Sequence, residues 1–106
     1  MTLGSARRVV RPGRGVLKEM APDRPIEISR HARLQMAERG VEESEVLAAI
    51  RSGDAEPARR GRTLFRKTFT FGRTWRGRAY RLKQVAAVVA TEPESTVVIT
   101  VFAFYF

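Results

Sequence analysis

The sequence contains a single histidine, and its position beside a predicted helix start makes it the first candidate for proton transfer. In "SRHARLQMAERG", residues 29–40, His31 follows the helix-start residue Ser29 by two positions. An imidazole group suits general acid-base chemistry near neutral pH because its unperturbed pKa is about 6.5. The structural alternative is a histidine that bonds nearby backbone or stacks where two helices meet. Position alone leaves both interpretations open.

Four further side chains could act together with His31 on a phosphodiester: Arg39, Lys83, Thr100 and Tyr105. If they converge, a base removes the proton of a ribose 2′-OH, and that oxygen attacks the adjacent phosphorus. Cationic side chains then stabilise the developing negative charge, and an acid protonates the leaving 5′-oxygen. These residues therefore predict RNA cleavage without a metal ion.

Two of these candidates also have structural interpretations. Arg39 lies on the buried stripe of the first predicted helix and could pair with Glu43 or Glu45 of the second. Thr100 is polar within the apolar "VVITVFAFYF", where its hydroxyl needs a partner, but threonine is also a good strand former. The sequence favours the ion pair for Arg39 and does not decide between the two roles of Thr100.

The charge of the chain indicates a polyanionic partner. Lys and Arg number 20 against 11 Asp and Glu, for a net charge of +9 and a pI of about 11.4, and such a field attracts nucleic acid. The densest basic and aromatic stretch is "WRGRAYRLKQ", residues 75–84, with the candidate RNA-binding residues Trp75, Arg76, Arg78, Tyr80 and Arg81. On a strand, Arg81 and Lys83 should share one face, with Tyr80 on the other. The alternative is a solvated face with Trp75 in the core.

Several classes of site are excluded or disfavoured. The chain has no cysteine, which excludes disulfides and thiolate chemistry, and its one histidine argues against a dedicated metal site. The N-terminal "ARRVVRPGRGVLK" has no apolar run typical of a signal sequence or membrane span. We therefore expect a cytoplasmic protein that binds RNA, with no cofactor, no metal and no membrane contact.

The pattern along the chain predicts one α+β domain, residues 26–106, after a flexible basic arm, residues 1–25. Ser29 and Gly40 delimit a helix over residues 30–39, and a second amphipathic helix ends before Gly53. Strands are expected at 63–71, 79–91 and 95–106, interrupted by Gly72 and Gly77 and by the turn "EPE", with a short edge strand at 26–28. The expected fold is an N-terminal two-helix hairpin packed on a three- to four-stranded antiparallel β-sheet.

The combined segments "ISRHARLQMAERGVEESEVLAAIRSG", "FTFGRTWRGRAYRLKQVAAVVATE" and "VVITVFAFYF" closely resemble a bacterial family known as domain of unknown function 4258. That family is grouped by resemblance with the RelE, barnase and colicin-like ribonuclease toxins. The resemblance implies an RNA-cleaving toxin, with His31, Arg39, Lys83 and Thr100 in its site and an antitoxin or other protein partner covering it. Relatives often carry Thr-Val-Tyr where this chain has Thr100, Val101 and Phe102, so Tyr105 or Lys83 would have to supply the missing proton donor.

Three hypotheses follow for the function. The first is a metal-independent ribonuclease of bacterial toxin type. The alternative is a non-catalytic RNA-binding or nucleic-acid-binding module on the same scaffold. A third is a protein-interaction domain whose terminal "FAFYF" docks a protein partner or forms a homodimer, because exposed aromatic rings make an adhesive patch.

Overall fold

A computed structural model describes residues 24–106, which form an α+β domain. Residues 1–23 of the predicted arm lie outside the described residues. The elements, in chain order, are β1 (Ile26–Ile28), α1 (Arg30–Arg39), α2 (Glu43–Ser52), β2 (Asp54–Pro57), a 3₁₀ turn (Arg59–Gly61), β3 (Thr63–Trp75), β4 (Arg78–Thr91) and β5 (Thr96–Tyr105).

The five strands form one mixed sheet in the order β1-β5-β4-β3-β2. β1 pairs with β5 in parallel, whereas the other neighbours are antiparallel. The expected all-antiparallel sheet of three to four strands is therefore wrong in count and in direction. β2, with the sequence "DAEP", lacks the apolar alternation that marks a strand, and its Pro57 is tolerated at a sheet edge.

Helix α1 has the predicted bounds. The Ser29 hydroxyl accepts a hydrogen bond from the backbone N–H of Ala32 at 3.1 Å, as expected for an N-cap. Gly40 follows the helix in the left-handed region with φ of 71°. A Cβ on Gly40 would lie 2.6 Å from the indole ring of Trp75 and 2.9 Å from the Tyr105 hydroxyl. Glycine is required there both by the backbone conformation and by this close approach.

Both helices pack on one face of the sheet. The core between them is formed by one buried cluster: Ala32, Met36, Val41, Val46, Ala49, Ile50, Phe65, Val85, Ala87, Val89, Val98 and Val101. A register shift in β5 lets Val98 and Val101 both face the helices, although they are three residues apart. Within residues 24–106, no helix covers the opposite face.

Strands β3 and β4 form the longest hairpin of the sheet. Its turn is Arg76 and Gly77, with φ of 52° and 83°, the pair of positive values that a two-residue type I′ turn needs. Gly72 does not end β3 as expected; the strand continues to Trp75 through an irregularity between Thr70 and Arg73. The hairpin therefore reaches further than the sequence pattern suggested.

Candidate functional site

Lys83 lies at the junction of the sheet with both helices. Its side chain is 2% exposed, and the ammonium group donates to the carbonyl of Gly40 at 2.5 Å and to Oε1 of Glu45 at 2.7 Å. The same carboxylate oxygen accepts the backbone N–H of Glu42 at 2.9 Å. Lys83 thus links the end of α1 to the beginning of α2. Both hydrogen bonds of its ammonium group are with other residues of the domain.

The last carbonyls of α1 are bound by three side chains from the sheet. The carbonyl of Glu38 accepts from the Arg76 guanidinium at 2.5 Å, and that of Arg39 accepts from the Tyr105 hydroxyl at 2.6 Å; the Gly40 carbonyl is bound by Lys83. Terminal helix carbonyls have no partner within the helix, and cations are favourable at this end of the helix dipole. Three sequence-predicted site residues therefore cap a helix.

Tyr105 is the centre of an aromatic cluster with Phe71, Trp75 and Tyr80, whose ring centroids lie 5.3, 5.4 and 5.5 Å from its own. Burial raises the pKa of Tyr105, and the charge of Glu45 raises it further, while Arg73 and Arg76 lower it. The hydroxyl is therefore held in its proton-donating form.

The orientation predicted for this part of β4 is wrong. Tyr80 and Lys83 contact the same ring of Tyr105, the ammonium of Lys83 lying 5.6 Å from its centroid. Arg81, which was expected to share the face of Lys83, is exposed. In β4 the backbone N–H groups of Arg81 and Leu82 both donate to the Phe106 carbonyl, so two residues oppose one and the simple alternation of faces is broken there.

Arg39 lies at the free edge of β5. Its guanidinium donates to the carbonyl of Val101 at 2.6 Å, and the Val101 N–H donates to Oε1 of Gln35 at 2.9 Å. The two side chains bind the backbone of Val101 where β1, which ends at Ile28, no longer pairs with β5. The ion pair expected between Arg39 and α2 is absent among the described residues.

The acidic residues of α2 have other partners. Glu43 pairs with Arg33 at 3.2 Å, and Glu45 with Lys83. The guanidinium of Arg39 instead lies 5.4 Å from the centroid of the Phe102 ring. Arg39 therefore contacts β5, at Val101 and Phe102, and not the acids of α2.

The five predicted catalytic residues do not form one cluster. Lys83 and Tyr105 lie together on the helix face, whereas Thr100, next to buried Val101, points to the opposite face. His31 is exposed near the start of α1, roughly 13 Å along the helix axis from Gly40 at about 1.5 Å per residue. Its side chain has no hydrogen bond or ion pair with any other residue of 24–106.

The family of the chain is shown by its sequence. A model of the family Domain of unknown function (DUF4258) matches residues 28–103. The chain belongs to the DUF4258 family. No curated protein and no solved structure matches it. The matched segment contains Lys83 with its partners Gly40 and Glu45, but it ends before Tyr105.

The predicted nucleic-acid-binding residues of this DUF4258 domain fall into two groups. Trp75, Tyr80 and Arg76 are engaged in the cluster around Tyr105, with the Arg76 guanidinium also 5.0 Å from the Trp75 ring centroid. Arg78 and Arg81 are exposed, and their guanidinium groups have no hydrogen bond or ion pair with residues 24–106. Only the second group is free to meet a ligand.

One signal in the DUF4258 sequence was missed. Between Glu56 and Glu92 there is no acidic residue, and this segment carries ten basic ones: Arg59, Arg60, Arg62, Arg66, Lys67, Arg73, Arg76, Arg78, Arg81 and Lys83. The segment is the β3–β4 hairpin with its preceding turn. The positive charge is therefore concentrated in one supersecondary unit, which a count of acids along the chain would have found.

Two other features are absent from residues 24–106. They contain no group of three or more His, Cys, Asp or Glu side chains that could hold a metal ion. No helix among them is both long and apolar enough to cross a membrane.

Proposed function

We propose that this DUF4258 domain binds RNA through the end of the β3–β4 hairpin that contains the Arg76–Gly77 turn. The observation that carries the proposal is the exposure of Arg78 and Arg81 beside the hairpin turn, within a segment of 35 residues, 57–91, that contains no acid. Guanidinium groups bind phosphate oxygens in bidentate geometry. Arg73, exposed beside the same turn, adds a third cation.

The test is RNA binding measured by fluorescence anisotropy at several salt concentrations. We expect affinity to fall as salt rises, and the double variant R78Q/R81Q to bind more weakly with a salt slope smaller by about two, roughly one per lost phosphate contact. R59Q/R60Q is the matched control. Its arginines are exposed and precede β3, roughly 40 Å along that strand from the turn at about 3.3 Å per residue.

The control separates a site from a general charge effect. Equal losses in R78Q/R81Q and R59Q/R60Q would show that net charge alone attracts RNA. No binding by the wild-type protein at low salt would overturn the proposal.

A metal-independent ribonuclease of toxin type is the second candidate. It is motivated by the exposed, unpartnered imidazole of His31 within residues 24–106 and by the ribonuclease activity that the sequence resemblance to the DUF4258 family implies. The separation of Thr100 and His31 from Lys83 weighs against it. An antitoxin covering the basic hairpin would be the corresponding protein partner.

Cleavage is tested on mixed RNA in excess chelator, with H31A as the matched variant. A ribonuclease of this type yields fragments ending in 2′,3′-cyclic phosphate that H31A does not produce. Intact RNA with unchanged binding would reject the ribonuclease and leave the binding function standing.

A further inference from the structure

The sheet face opposite the helices carries a row of three phenylalanines at the end of the chain. Phe102 and Phe104 stack with ring centroids 6.4 Å apart and planes 19° apart. Phe104 is 48% exposed and Phe106 is 56% exposed. The only other exposed large hydrophobic side chain among residues 24–106 is Leu34 on α1. We call Phe102, Phe104 and Phe106 the phenylalanine row.

An arginine side chain lies at one end of the phenylalanine row, and the backbone of the arginine-rich hairpin lies at the other. At one end the Arg39 guanidinium lies over the ring of Phe102. At the other end the Phe106 carbonyl accepts the backbone N–H of Arg81 at 3.1 Å and that of Leu82 at 2.8 Å. The row therefore runs directly into the arginine-rich end of the β3–β4 hairpin.

Polar side chains lie beside the row on the same face. Arg66 donates to Gln84 at 3.2 Å, and Gln84 donates to Thr68 at 3.2 Å. The acids on this face belong to the two edge strands: Glu56 and Asp54 on β2 and Glu27 on β1. Glu56 is paired with Arg66 at 2.9 Å, and Glu27 is opposite Val97, at the other end of β5 from Phe104.

We propose that the phenylalanine row stacks the unpaired bases of single-stranded RNA whose phosphates contact the hairpin arginines. The inference rests on the proposed function and names its substrate class. Aromatic rings stack bases of any sequence, but bases inside a duplex are already stacked and their faces are not accessible. The guanidinium of Arg39 and the arginine-rich hairpin that contacts Phe106 favour a polyanion over an apolar protein surface.

The structure moves the stacking role to different rings from those that the sequence indicated. The rings of Trp75 and Tyr80 pack against the ring of Tyr105 and form part of the aromatic cluster on the helix face. Phe104 and Phe106 are accessible. Phe104 lies near the end of β5, and Phe106 directly follows that strand. Phe106 and Phe104 lie beyond the segment that the family model matches.

The test compares a single-stranded RNA with a blunt duplex of the same sequence and length. We expect the wild-type protein to prefer the single strand, and F104L/F106L to lose about tenfold or more of that affinity while its duplex binding is unchanged. F104Y/F106Y keeps both aromatic faces and should bind as the wild type does. Thermal unfolding of each variant reports whether the fold is intact.

The outcomes separate this inference from the proposed function. Equal binding of single strand and duplex, unchanged in F104L/F106L, overturns the stacking role while hairpin binding stands. No binding of either RNA overturns both. A wild-type dimer that becomes a monomer in F104L/F106L would assign the row to a second copy of the chain, and this too would overturn the inference.

Discussion

The two faces of the sheet at the end of β5 use the same kinds of side chain in opposite ways. On the helix face, Tyr105 and Lys83 are enclosed by rings and carbonyls, and each polar atom has an internal partner. On the other face, Phe104 and Phe106 are exposed, and the Arg39 guanidinium lies over the neighbouring ring of Phe102. Tyr105 and its two neighbours are consecutive in sequence, so the alternation of a strand alone separates the two environments.

This contrast shows that basic and aromatic residues indicate binding only when their partners are known. Arg76 and Lys83 each bind a carbonyl at the end of α1, which uses the cation for the fold. Arg78 and Arg81 belong to the same segment but remain exposed. We therefore expect substitutions on the helix face to change stability and substitutions on the other face to change binding.

The largest expected effect is that of K83M. Removing one partner of a buried ion pair leaves the other charge uncompensated, at a cost of about 3–5 kcal/mol. Urea denaturation should show this loss, whereas K67M at half-buried Lys67 should cost less than about 1 kcal/mol. Equal effects of the two substitutions would contradict the role of the Lys83 contacts with Gly40 and Glu45 in stabilising the fold.

A smaller loss is expected for G40A. An alanine with left-handed backbone costs about 1–2 kcal/mol, and at Gly40 its Cβ would also collide with Trp75 and Tyr105. Gly61 has φ of 72° and nothing within 4 Å of its Cβ position, so G61A measures the backbone cost alone. If G40A destabilises no more than G61A, the rings do not approach Gly40 as described.

Next is the effect of pH through Tyr105. Because its pKa is raised in the folded state, the stability from its protonated hydroxyl is complete below the unfolded pKa and is lost as pH rises through the folded one. Phenolate absorbance in a Y80F background should show a midpoint above that of a free tyrosine. Y105F should lose about 1 kcal/mol together with this alkaline dependence, and a midpoint at the ordinary value would argue against burial of the hydroxyl.

The smallest stability change is expected for F104L. Its ring is exposed on the face without helices, and exposed substitutions usually change the free energy of unfolding by less than about 0.5 kcal/mol. Differential scanning fluorimetry checks this. A loss as large as that of G40A would mean that the ring belongs to the fold, and the contrast between the two faces would fail.

The sequence predicts elements with local signals and misses those that depend on distant partners. Ser29 and Gly40 define α1 because capping chemistry is local. The parallel pairing of Ile26 with Thr96 joins residues 70 positions apart, and no local pattern encodes it. The same limit explains β2, whose strand character comes from pairing with β3.

The candidate site shows the same limit. Lys83 was identified as functional because it is a cation in the basic, aromatic stretch 75–84, but its partner Gly40 lies at the end of α1. Tyr80 was assigned to the wrong face because the bulge at Arg81 and Leu82 cannot be read from alternation. Residue type selected the candidate positions, and packing shows which contacts each side chain makes.

The hydrogen bonds of Gln35 and Arg39 to Val101 have a consequence for aggregation. An unpaired strand edge is a template for strand addition from another chain. Here the side chains of Gln35 and Arg39 from α1 bind part of that edge at Val101, beyond the point where the short β1 stops pairing with β5. If α1 detached, the backbone of β5 at Val101 would be unpaired at the edge of an apolar strand. We therefore expect variants that destabilise α1 to aggregate more readily.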